Sequence, residues 1–350
     1  MKYTPETTQL INRISALCIG LAILVILWFV LRGTIGQNPD AIVENPDNKK
    51  VSECVYERVL DGVCVTTQAE ANPQLVAIMI ENSLEARPQY GLSKASIVYE
   101  SPVEANFTRF MAIYPANAEV SQIGPVRSAR PYYLDWLAEY GTPPYLHVGG
   151  SNEALAILKE RGVFDVNEFY RGWLFWRGTD RLAPHNVYTN STNWNEALTK
   201  YASSYTTNFS HGWKFEDVDP CVNNCTVTTS IVFNGLAYSV QWRYNTTTMD
   251  YVRYQSGDPH TDGLGGVMTA DTVVIQFVSS QVLDDVGRLD IETLGSGEVI
   301  VLRRGYKVTG TWKKESVNDR TRFYDAAGAE IPLQRGKIWV EVVNERTEVK

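Results

Sequence analysis

Val126–Pro131 reads VRSARP and sets Arg127 and Arg130 around Ser128 where a helix is expected to begin. The positive end of a helix macrodipole favours anions, not cations. Two arginines there need either nearby carboxylates or an anion from outside. Guanidinium forks suit a carboxylate or a phosphate, and helix amides add donors. The internal alternative pairs them with Glu100, Glu104 and Asp135, which keeps buried charge compensated. Both hold together if such a network frames a pocket.

Other chemistry-bearing residues come in short blocks. RPQYGLSKASIVYE carries Arg87 and Glu100, and PVEANFTRF carries Glu104 and Arg109. YLHVGGS carries His147 and Ser151, and FWRGTDRLAPHNVY carries Trp176, Arg177, Arg181, His185 and Asn186. His147 and His185 are two of four histidines. With Glu100 or Glu104 they have the donors of a metal site, and around Ser128 they have the makings of an acid–base pair. No H-E-x-x-H or G-x-S-x-G motif supports either role, so a structural histidine is the simpler reading. Trp173, Phe175 and Trp176 beside Arg177 offer rings that stack on a sugar or peptide, although burial in a core is the commoner use of such rings. His260 and Asp262 in GDPHTDG read as a turn or a domain contact. The sequence calls for no cofactor, and no metal site is assigned.

The elements that must position these blocks follow from the apolar pattern. LVAIMI (Leu75–Ile80), Ile97–Tyr99 and FTRFMAIY (107–114) read as strands. Ser128 is a candidate N-cap, with Pro131 in the first turn and Gly141 at the end. Tyr145–Val148 returns as a strand, Ser151 caps a helix closed by Gly162, and NWNEALTKYASSY is helical. Strand ends of such a sheet gather at one edge, so the blocks are expected to converge there. After about residue 215 the rhythm changes to short strands with glycine-containing turns. The fold class is therefore α+β overall: a membrane anchor helix, an α/β domain, then a mostly β C-terminal domain. The expected divisions are 1–32, cytoplasmic tip and anchor; 33–71, a linker with a small disulfide loop; 72–215, α/β; and 216–350, β-rich.

The anchor is ISALCIGLAILVILWFVL, residues 14–31, which carries no charge. Its length is near the minimum for a membrane span. Lys2 and Arg13 precede it, which favours a cytoplasmic amino terminus, a single pass and the bulk of the chain outside. A cleaved signal peptide fits less well, because the apolar run is long and no A-x-A-like site follows. Cys18 inside the run lacks the small residue expected before a lipidated cysteine. Cys54 with Cys64 and Cys221 with Cys225 are expected to form two local disulfides, with a four-cysteine zinc site as the rival. A net charge of -8 and no basic run argue against nucleic acid.

Taken in order, AIMIEN, RPQYGLSKASIVYE, PVEANFTRF, IGPVRSARPYYLDW, HVGGS, APHNVY, GDPHTDG and GTWKKES resemble the YerB-like family of bacterial cell-envelope proteins, a two-part domain of unknown function. The resemblance covers nearly the whole exported chain. This sequence departs from it at Glu81, where many relatives carry Asp, at Ala105-Asn106, where many carry Gly-Gly, and in lacking a lipidation cysteine. The resemblance implies an envelope location, with peptidoglycan or its assembly machinery as the setting, and no particular reaction. A binding protein is the expected function, with a peptidoglycan component or an envelope protein as partner. The alternatives are a hydrolase or transferase using Ser128, His147 or His185 with a carboxylate, and an adaptor acting through the β domain.

Overall fold

Alternate residues of one apolar strand enter two different cores. The strand is β1 (Leu75–Glu81), in which all seven residues are buried. Val76, Ile78 and Ile80 pack with Trp194, Leu198, Ile231 and Trp242. Leu75, Ala77 and Met79 pack with Leu134, Trp136, Leu137 and Leu158. A strand covered on both faces reads as an unbroken apolar run, and a strand with one wet face alternates. The computed structural model describes residues 54–201, 209 and 212–350. Within these, Cys54–Lys350 forms one compact unit.

The strands that build this unit are, after β1, β2 (Ile97–Pro102), β3 (Thr108–Pro115), β4 (Tyr145–His147) and β5 (Asp165–Asn167). The second half of the chain adds β6 (Thr228–Val232), β7 (Ser239–Asn245), β8 (Asp250–Gln255), β9 (Thr272–Phe277), β10 (Gly295–Arg303), β11 (Tyr306–Lys314), β12 (Arg322–Asp325), β13 (Ile338–Val343) and β14 (Glu348–Val349). Ten of them make one sheet, in the order β12-β11-β10-β9-β13-β2-β3-β1-β4-β5. β13 pairs in parallel with both β9 and β2, so the two expected domains share one hydrogen-bonded sheet. A smaller sheet around β8-β7-β6-β14 covers one face. In β7 and β8 burial alternates, as expected for strands buried on one side.

Helices among the described residues are few: α1 (Gln68–Ala71), α2 (Pro131–Ala138), α3 (Asn152–Glu160) and α4 (Ser191–Tyr201). The α+β reading therefore holds in its coarse form: strands dominate, and these helices all lie in the first part of the chain. No helix among the described residues is long and apolar enough to cross a membrane. The expected anchor at 14–31 lies outside them. Both local disulfides, Cys54–Cys64 and Cys221–Cys225, are formed. Ser151 caps α3 by accepting from the Ala154 amide at 3.2 Å. Ser128 is not the cap of α2. Arg130 takes that position with extended backbone, φ -133 and ψ 151. The reason is Pro131, whose ring disfavours helical geometry in the residue before it.

GDPHTDG is a contact between the two parts. Asp262 accepts from the amides of Gly91 and Ser93 at 2.9 and 2.8 Å. His260 meets Gln89 Oε1 through Nε2 at 2.8 Å. Beneath it, Glu100 of β2 and Glu341 of β13 stand side by side in register, and Arg253 of β8 reaches both. Burial first, then the Glu100 charge, push the Glu341 carboxyl well above its usual range, with Arg253 opposing. A carboxyl raised on folding contributes stability that is full below its unfolded value, about 4.3, and is lost as pH rises through the folded value. Glu341→Gln holds the neutral shape at every pH. It is expected to match the parent near pH 4 and to gain on it steadily at higher pH, as read from urea midpoints across pH 4–8. Parallel profiles for the two proteins would remove this assignment.

Candidate functional site

β1, β4 and β5 run parallel, so Glu81, His147 and Asn167 end their strands at the same edge. Carboxyl ends of parallel strands are where open α/β sheets place ligands. The loop before α2 is pinned between these ends. The Arg127 amide donates to Met79 O at 2.9 Å, and Arg127 O accepts from the Val148 amide at 3.1 Å. The Ala129 amide donates to Gly149 O at 3.0 Å.

This loop brings three guanidinium groups to two carboxylates. Arg127 Nε donates to Glu81 Oε1 at 2.9 Å, and Arg130 Nε donates to Glu104 Oε1 at 2.6 Å. Arg109, at the start of β3, lies 3.8 Å from Glu104 Oε2 and donates to Ser128 O at 3.2 Å. All three remain partly open to solvent, with side chains 11 to 21% exposed. Burial, then the Arg130 charge, push Arg109 down to about 10, with Glu104 opposing and Arg127 adding to the fall. Burial works to raise the Glu104 carboxyl, but the hydrogen bond and charge of Arg130 and the charge of Arg109 hold it below its usual range. Cations therefore outnumber carboxylates in the cluster. Arg87 extends it, donating to Asn82 Oδ1 at 3.2 Å and Ser256 Oγ at 3.1 Å, with Tyr238 beneath its guanidinium at 5.1 Å.

Glu81 joins this cluster to the next block. Its second oxygen, Oε2, lies 3.0 Å from His185 Nδ1, which also meets Ser83 Oγ at 3.2 Å. Arg177, near His185 in the chain, donates to Asn186 Oδ1 at 3.2 Å and to Glu168 Oε1 at 3.1 Å. Phe169 follows Glu168 and lies against Gly149, where a Cβ would fall 2.8 Å from its ring. Gly149 has φ +59, so the position demands glycine both for backbone and for space. From Gly149 the contacts return through Ala129 to Arg127, and the circuit closes.

Several expected residues sit elsewhere. Glu100 lies buried against Arg253 and not against the loop arginines. Asp135 faces away on α2, taking Arg161 Nη1 at 2.7 Å and Thr293 Oγ1 at 2.5 Å. His147 is fully buried, with Nδ1 against Gly149 O at 2.7 Å and Nε2 against Asp165 at 2.8 Å. Both its ring nitrogens are occupied, so it ties β4 to its surroundings and is not placed to move protons around Ser128. Ser151 serves as a helix cap. Arg181 holds Ala86 O and Pro88 O at 2.7 and 2.8 Å. Asn186 also donates to Gly178 O at 2.9 Å. Trp176 stacks obliquely on Tyr188 and stays 36% exposed, while Phe175 is buried. Sequence reasoning missed Glu81, Asn82, Ser83 and Tyr238 as partners. The legible signal was the polar pair that ends an otherwise apolar strand in AIMIEN.

Two family descriptions match the chain: the N-terminal domain of a protein of unknown function, DUF3048, over residues 60–205, and its C-terminal domain over 229–340. The chain is 30% identical to "Putative lipoprotein YerB" of Bacillus subtilis (strain 168) over 282 residues, 79% of this chain and 83% of that protein. The crystal structure of YerB protein from Bacillus subtilis superposes with a TM-score of 0.73 at 27% identity, covering 85% of this chain and 99% of that one.

Proposed function

The chain belongs to the DUF3048 family, and from that premise we propose that it is a membrane-attached, extracytoplasmic binding protein of the bacterial cell envelope. In this reading it docks an anionic component of the wall, or of the machinery that assembles peptidoglycan, at Arg109, Arg127 and Arg130. The observation that carries the proposal is the excess of part-exposed guanidinium groups over carboxylates at the carboxyl edge of the sheet. The similarity to a protein named as a lipoprotein supports attachment outside the cytoplasm. The uncharged stretch at 14–31 supports a single membrane pass. The test is co-sedimentation of the full-length protein with purified sacculi. Loss of charge-assisted hydrogen bonds of about 1.5–3 kcal/mol each corresponds to at least a tenfold drop in affinity for Arg127→Ala with Arg130→Ala. Undiminished binding by this double variant would reject the site.

One observation favours a second reading. Glu81 and Ser83 fix His185 through Nδ1, and among the described residues no group is bonded to its Nε2. A base held by a carboxylate in this way is the arrangement of a hydrolase or transferase. Mass spectrometry of the same sacculi separates the two. New fragments that vanish with His185→Ala support catalysis, and an unchanged profile supports binding alone.

A further inference from the structure

We infer that the carboxyl edge takes a saccharide bearing a carboxylate or phosphate, its anion on Arg127 and a sugar ring against Phe169. The inference rests on the anion-binding reading above and narrows it to a chemical class. Phe169 is 66% exposed, yet it is not loose: its ring edge is seated on Gly149, where any Cβ would meet it. The same Gly149 accepts from the Ala129 amide, two residues from Arg127. The ring and the guanidinium thus rise from hydrogen-bonded neighbouring segments. Aromatic faces left open in this way stack on apolar ring surfaces.

The second argument is the mixture of donors and acceptors around the ring. A bare anion needs only donors, and Glu81 and Glu168 repel it. Sugar hydroxyls donate as well as accept, so they suit the mixed Glu81–Arg127 and Glu168–Arg177 pairs, whose carboxylates have further lone pairs to accept with. A purely apolar ligand would cover these ion pairs without bonding to them, and desolvating them in that way is costly. The combination of anion, hydroxyls and one apolar ring face describes an acidic sugar.

The experiment is calorimetric titration of the full-length protein in detergent with four probes: tri-galacturonate, glucose 6-phosphate, maltotriose and inorganic phosphate. One of the two charged sugars is expected to bind severalfold, up to about tenfold, tighter than both the neutral sugar and phosphate, which is the reach of one aromatic contact. Which of the two binds tighter tells carboxylate from phosphate. Phe169→Ala is expected to erase that advantage while keeping phosphate affinity, and Phe169→Trp to restore it. Being exposed, this position leaves the fold intact. If phosphate binds as tightly as the sugars, or Phe169→Ala changes nothing while Arg127→Ala weakens every charged probe, the sugar inference falls and the anion site stands. If none of the charged probes binds, both fall.

Discussion

Arg253→Met is expected to lower the stability of the protein by about 3–5 kcal/mol, the range for breaking a buried ion pair from one side. Arg253 is fully buried between the two sheets. It donates to Glu100 Oε2 and Gln255 Oε1, and its Nε lies 3.8 Å from Glu341 Oε1. Phe110 and Trp339 enclose its guanidinium at 5.6 and 4.9 Å. Burial, followed by the Arg253 charge, holds His260 well below its ordinary value. The ring is therefore neutral, accepting from Arg253 at Nδ1 and donating to Gln89 at Nε2. Methionine fills much of the same volume, so packing is largely kept and the loss reports charge. It leaves Glu100 buried without its cation. Urea unfolding at pH 7 is the measurement. Adding Glu100→Gln to Arg253→Met is expected to recover part of the loss, because the stranded carboxylate is then neutral. A single variant within about 1 kcal/mol of the parent, well below the expected range, would mean that water reaches the triad.

The same triad shows what the sequence leaves unread. Apolar runs announced β1 and β2, because burial on two faces is written into residue type. Nothing in the order of residues announced that β13 inserts beside β2, which is a choice made by long-range pairing. That choice puts Glu341 against Glu100 and takes Glu100 away from the loop arginines. The expected carboxylate partners were right for Arg130, which meets Glu104, and wrong for Arg127, which meets Glu81. The partnership with Glu81 depends on the loop crossing the end of β1, which no residue of the loop announces. The meeting of the Glu81, Arg127 and His147 segments follows from strand direction, because the carboxyl ends of parallel strands share an edge. His147 read most simply as a structural histidine, and so it is: a three-residue strand buried along its length leaves it no open face. Exposure, the property that distinguishes Phe169 from Phe175, is not written in either residue.

Glu139→Ala is expected to produce a loss of similar size, about 3–5 kcal/mol, by stranding two buried cations. Glu139 follows the last turn of α2 and is itself buried. Oε1 accepts from Lys314 Nζ at 3.0 Å and Thr321 Oγ1 at 2.6 Å, and Oε2 accepts from Arg320 Nη1 at 3.4 Å and the Thr321 amide at 3.2 Å. All of these donors come from the second half of the chain, so one carboxylate ties α2 to β11 and the segment before β12. Glu139→Gln separates shape from charge. It keeps most of the volume and one acceptor, so if charge dominates it is expected to fall close to the alanine variant in thermal unfolding. A glutamine variant as stable as the parent would show that hydrogen bonding, and not charge, holds the joint. The consequence reaches the candidate site, because α2 begins at Pro131, next to Arg130. That end has its own fastenings, with the Tyr132 hydroxyl donating to Pro102 O at 2.8 Å and the Tyr133 hydroxyl to Arg109 O at 2.7 Å. If these suffice, Glu139→Gln binds anions like the parent wherever it remains folded. If the helix pivots instead, phosphate affinity falls before the protein unfolds, and the arginine cluster is then set from both ends of α2.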